Sequence, residues 1–180
     1  MSADTSEGRG GDNGAMVIYN ETDRSIVLTA RGNRTEIEEF SDIYLTLASR
    51  FKVLNVPEDD GREGRQLVKA IQEAGLPMFY SPEEEQKKRY RKPGYIPSQS
   101  RNAEILTIAR RHFKNIELRC PRLLQEVGDY DWNAHDNDGR DSSGGHFDLL
   151  RPTMICVYAS MVGEQLVFTG MNKTEKNVVG

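Results

Sequence analysis

The sequence predicts an α+β fold, with an antiparallel or mixed sheet built from N-terminal and C-terminal hairpins and packed against three to four helices. Three observations carry that expectation. Apolar, β-branched runs at residues 16–19 and 25–30 flank a polar stretch, as the strands of a hairpin do. Between residues 35 and 127 apolar residues recur at three- and four-residue steps, the spacing of a helix face. The runs 153–162 and 165–171, separated by Gly163 and Glu164, have the form of a second hairpin around a Gly-X turn. Hairpin, helices and hairpin in that order favour an α+β sheet over a doubly wound parallel one.

In chain order, residues 1–15 are rich in Gly, Ser and Asp, so they read as a flexible tail ahead of a single domain over 16–171. A first helix is expected over 35–50. Thr35 and Glu38 have capping-box spacing there, and Ile37, Phe40, Tyr44, Leu47 and Phe51 share the face expected to be buried. Residues 57–61 read as a polar loop. The second helix carries Leu67, Val68, Ile71 and Ala74 and ends at Gly75 with Pro77 beyond. Ser81, Pro82 and three glutamates look like the start of a third helix, where Ser81 caps and the carboxylates meet the positive end of the helix dipole. Ser100 or Asn102 is the expected cap of a fourth, bearing Ile105, Ile108 and Ala109. A short strand over 116–120 and a short helix after Pro121 follow. The 128–145 stretch of Asp, Asn, Ser and Gly is a long polar loop, and 153–162 is a strand buried on both faces. Residues 172–180 read as a second loose tail.

Composition narrows the function classes. A net charge of -4 and a pI of 5.5 over 180 residues argue against a dedicated nucleic-acid binder. The longest uncharged apolar run is far short of the ~20 residues that span a bilayer, so no membrane association is expected. With no apolar signal segment, and with Cys120 and Cys156 as the only cysteines, the expectation is a soluble cytoplasmic protein with free thiols. The sharper catalytic signatures, such as P-loop, nucleophile elbow, dinucleotide fingerprint or paired-histidine zinc motif, do not occur.

Three groups of residues could still carry a function. The first is the acidic loop with Asp129, Asp131, Asp136, Asp138 and Asp141 around Trp132, the only tryptophan. Clustered carboxylates steer basic partners and a tryptophan anchors interfaces, so the leading expectation is a non-enzymatic interaction module. An inhibitor or immunity-type partner, without a cofactor, would cover another protein's basic surface in this way. The bland alternative is that such residues simply make solvated turns, with Trp132 pinning the loop to the core. The second reading takes Asp136, Asp138, His146 and Asp148 as ligands of a divalent metal in a hydrolase or nuclease, with His146 and Asp148 on one side of a strand. Their spacing fails the calcium-loop pattern, because Arg140 and Phe147 fall where ligands are needed. The third is a basic segment with Lys87, Lys88, Arg91, Lys92, Tyr95 and Arg101, whose cations and tyrosines suit RNA. Glutamates four residues ahead of Lys87, Lys88 and Arg89 would neutralise half of it. A Cys–His nucleophile with His146 is disfavoured, since Cys156 lies in a buried run. His112, on the apolar face of its helix, reads as a core or boundary histidine.

Overall fold

A computed structural model describes residues 1–5, 14–32, 35–81, 92–132 and 147–174, with side chains up to residue 162. Its main sheet has four strands, β1 (Ser2–Asp4), β2 (Gly14–Asn20), β3 (Ser25–Gly32) and β4 (Val56–Pro57), in the order β3-β2-β1-β4. β1 is antiparallel to β2 and parallel to β4, so the sheet is mixed and the α+β class holds.

The first correction concerns the N-terminus. Residues 1–4 are not a tail: β1 is an inner strand, with Ser2 and Ala3 fully buried. Its hold is mostly backbone pairing, with Val56 N–H donating to the Met1 carbonyl at 2.8 Å and Glu58 N–H to that of Ala3 at 3.1 Å. Small side chains let both neighbouring strands and two helical layers approach, while offering no apolar run for sequence reading to detect. Residues 6–13 lie outside the described residues.

Alternation along the strands sorts the core into two faces. Ala3, Met16 and Ile18 lie under α1 (Ile37–Phe51) and α2 (Gly61–Glu73), together with Met1. Ala15, Val17, Ile26 and Val56 belong to the opposite core with α3 (Gln99–His112), α4 (Pro121–Asp129) and α5 (Leu150–Thr174). The expected β2–β3 hairpin is present, with a bulge at Ile18/Tyr19.

In α1, Phe40, Tyr44 and Ala48 are buried as the period requires, and Ile37 and Leu47 are half-buried. Phe51, the last residue of α1, is 45% exposed and does not join the buried face as expected. The capping box is not made either: Glu36 occupies the N-cap position without a side-chain bond. α2 begins at Gly61, inside the expected loop, and ends before Gly75, whose φ of 64° is the left-handed turn expected there.

Ser81 is no helix cap but part of a small sheet, β5 (Tyr80–Ser81) with β6 (Lys92–Pro93). Its hydroxyl donates to the Gly94 carbonyl at 2.8 Å and accepts from Ile96 N–H at 3.2 Å. Residues 82–91, with the rest of that expected helix, lie outside the described ones. α3 is capped by Ser98, which accepts from Arg101 N–H at 3.3 Å, rather than by Ser100 or Asn102. The expected 116–120 strand reduces to a bridge between Ser25 and Glu117.

The second correction is larger. The 153–162 run belongs to α5, so there is no C-terminal hairpin, and the described residues hold five helices rather than three to four. α5 packs against the sheet as well as α3 and α4. Every residue from 152 to 159 is buried, which leaves no polar face to reveal a helical period. The helix also runs past residue 172 to Thr174, into the expected tail, and residues 175–180 lie outside the described ones. None of the helices is long and apolar enough to cross a membrane, among the described residues.

Candidate functional site

The strand register assembles a charged row at one end of the sheet. Asp4 on β1 is the partner of Ala15 on β2, and Ala15 is the partner of Arg31 on β3. On the other side Ala3 pairs with Pro57, which puts Glu58 beside Asp4. Side chains one pair apart across a sheet share a face, so Glu58, Asp4 and Arg31 point at the start of α5, which brings Asp148 and Arg151.

Arg151 is the centre of a hydrogen-bonded network. Its Nε donates to both Glu58 carboxylate oxygens at 3.2 Å, and its Nη2 donates to Glu58 Oε1 at 2.5 Å and to Asn102 Oδ1 at 3.0 Å. Asn102 Oδ1 also accepts the Tyr95 hydroxyl proton at 2.9 Å, and the guanidinium lies 5.4 Å from the centre of the Tyr95 ring. Glu58 is 5% exposed, and such a pair persists in a dry site only because its oxygens and N–H groups are matched. Burial opposes the guanidinium charge, but Glu58 outweighs it and holds Arg151 above its ordinary pKa. Burial likewise pushes the Tyr95 phenol well up, keeping it a neutral donor.

Two glycines let the backbone around Glu58 close up. A Cβ on Gly64 would stand 2.4 Å from the Glu58 carbonyl oxygen. One on Gly94, which has a φ of 77°, would stand 2.7 Å from that of Pro57.

Glu126 of α4 closes the other side. Its Oε2 accepts from both Leu149 N–H and Leu150 N–H at 2.9 Å, and its Oε1 accepts from Arg122 Nε at 3.1 Å. The carboxylate thereby satisfies amides that the start of α5 would otherwise orphan. Arg31 reaches Asp148 at 3.4 Å and Glu126 at 4.0 Å.

Asp4 is the exceptional group. Burial, then the charge of Glu58, with Asp148 and Asp60 adding to them against the pull of Arg151, pushes its carboxyl up to about 8. A carboxylic acid that holds or releases a proton near neutral pH is what this arrangement can supply chemically. Sequence reading missed it. Asp4 stood in an apparent tail and Glu58 in an apparent loop. Glu126 did leave a signal, one turn from Leu123 and beside Val127 on the apolar side of α4.

The residues singled out from sequence are placed differently. Asp129 and Asp131 are exposed. Trp132 is half-buried, its ring 4.8 Å from Tyr130 and 5.8 Å from Phe113, and Phe147 packs 5.1 Å from the same Tyr130. Asp136, Asp138, Asp141 and His146 lie outside the described residues. Asp148 is buried in a turn leading into α5, not on a strand, so the alternation that was to aim it and His146 at one ion does not arise. Among the described residues no group of three His, Cys, Asp or Glu side chains is placed to hold a metal.

Of the basic segment, Lys87, Lys88 and Arg91 are outside the described residues, and Lys92 is exposed on β6. Tyr95 is fully buried and so closed to stacking on a base, and Arg101 donates to the Ile96 carbonyl at 3.0 Å. Cys156 is buried as expected, on a helix rather than a strand, and burial pushes its thiol up. Cys120 is half-buried at the N-cap of α4. Burial there raises its pKa, but hydrogen bonds from Thr29 and the Leu123 and Arg122 amides outweigh it and lower the thiol below its ordinary value. His112 is half-buried at the end of α3. Neither the known protein families nor the curated proteins offer a match to this chain.

Proposed function

We propose that this chain is a non-enzymatic protein-interaction module of the cytoplasm. Its acidic segment, opening at Asp129, engages the basic surface of another protein, as an inhibitor or immunity-type partner would. One observation carries the reading: Trp132 and Phe147, at the two ends of the segment 133–146, both pack on Tyr130, while Asp129 and Asp131 stay exposed. Asp129 and Asp131, next to aromatic rings seated on the core, are held for binding at less entropic cost. Asp136, Asp138 and Asp141 add negative charge within it, and such charge speeds encounter with a cationic partner. Glu58, Glu126 and Arg151, by contrast, direct their hydrogen bonds to other parts of the fold.

The test is capture from native cell extract on the immobilised full chain, followed by binding kinetics with the captured protein. Asp129→Asn with Asp131→Asn should slow association, most at low salt, because screening acts over a Debye length of about 8 to 10 Å. Trp132→Ala should mainly hasten dissociation. An association rate indifferent to both salt and the aspartates overturns the reading. Calorimetry of chelator-treated protein with Mn²⁺ provides the other arm, since a stoichiometric micromolar site dependent on Asp148 would favour the metal-dependent hydrolase instead.

A further inference from the structure

Asp4 lies among other carboxylates. Glu58 faces it from beyond β4, Asp60 from the start of α2, and Asp148 and Arg151 from the start of α5. β2 contributes only Ala15 at this position, and Arg31, a strand further out, is 3.4 Å from Asp148. Among the described residues, Arg151 is the cation acting on Asp4, and it directs its hydrogen bonds to Glu58 and Asn102. Asp4 is half-buried, and ionising a carboxyl that stands beside three others in a partly covered place is opposed by repulsion and by burial together.

We infer that Asp4 and its carboxylate neighbours form a proton-dependent latch, in which β1 stays docked between β2 and β4 while Asp4 is protonated and loosens when it ionises. The sign follows from linkage. In an undocked strand the carboxyl titrates near its ordinary 3.8, whereas docked it is pushed up to about 8. Below the lower value both states hold the proton and the contribution to docking is complete. Between the two only the docked strand holds it, so docking weakens as pH rises and levels off above the upper value.

Two amides report on the strand. Val56 N–H donates to the Met1 carbonyl and Glu58 N–H to the Ala3 carbonyl, so undocking of β1 exposes both to exchange. In the full chain, their hydrogen-exchange protection, corrected for the intrinsic pH dependence, should fall roughly tenfold or more between about pH 6 and pH 8. Protection at Ile155 in α5 should stay constant. Asp4→Asn, which cannot ionise, should remove the pH dependence. Carboxyl-carbon NMR of the wild-type chain should place the Asp4 midpoint well above the ordinary aspartate range. Should Asp4→Asn fail to fold, Asp148→Asn serves: it removes a facing charge and relieves Arg31 of a partner, so the Asp4 midpoint should drop by roughly half a unit or more. An ordinary Asp4 midpoint, pH-independent protection of Val56 and Glu58, or a midpoint unmoved by Asp148→Asn overturns the latch.

Discussion

Glu126 is a carboxylate on the apolar side of a nine-residue helix, 2% exposed, and it earns that position by bonding two backbone amides and one guanidinium. Removing it orphans the Leu149 and Leu150 N–H groups and takes a partner from Arg122, which keeps its access to water. We predict that Glu126→Ala costs about 2 to 4 kcal/mol. Glu126→Gln should cost less, since its amide oxygen can still accept one of those bonds. Urea denaturation measures both, and an alanine effect below about 0.5 kcal/mol would mean that α5 begins without this cap. Arg151 and Glu58 obey the same rule. Each is tolerable in the interior only while the other is present, so residues 93 positions apart in sequence depend on each other's charge.

Among the elements, α1 tests how a helical face becomes core. Phe40 and Phe51 lie on the same side by period, yet Phe40 is 5% exposed and Phe51 45%. We predict that Phe40→Ala costs about 3 to 5 kcal/mol, while Phe51→Ala falls within about 0.5 kcal/mol of wild type. Thermal or urea denaturation of the pair decides it, and equal losses would mean that the last turn packs on the sheet after all. The period of α1 was legible because one side of it meets water. α5 carries no such contrast along its buried stretch, so its apolar run read as a strand, and Gly163 and Glu164, which looked like a turn, lie inside the helix.

The whole molecule hangs on a strand of three residues. β1 joins β2 to β4 and so ties the β2–β3 hairpin to the segment that leads into α2. Had residues 1–15 been a tail, their deletion would leave stability unaltered. With β1 in the sheet, a chain begun at residue 6 should lose cooperative unfolding or fall by many degrees in thermal midpoint, because it leaves β2 and β4 with unpaired edges and opens the core between α1 and the sheet. Calorimetry of the truncated chain checks this, and an unchanged midpoint would show that β4 and β2 close without β1.

The sequence by itself determined the α+β class, the β2–β3 hairpin, the buried face of α1 apart from Phe51, the end of α2 at Gly75, and the positions of α3 and α4 to within a few residues. Those elements are half-buried or bounded by turn residues, so their periodicity and punctuation are local properties that a short window contains. Only the tertiary structure decided the place of β1, the helical state of 153–162, and the row that joins Asp4, Arg31, Glu58, Asp148 and Arg151. β1 is held by backbone bonds to other strands, the 152–159 stretch of α5 is buried at every position, and the charged row exists only once strand register and a helix start bring its members together. None of these is a property of neighbouring residues, because burial and pairing energy depend on what the rest of the chain supplies.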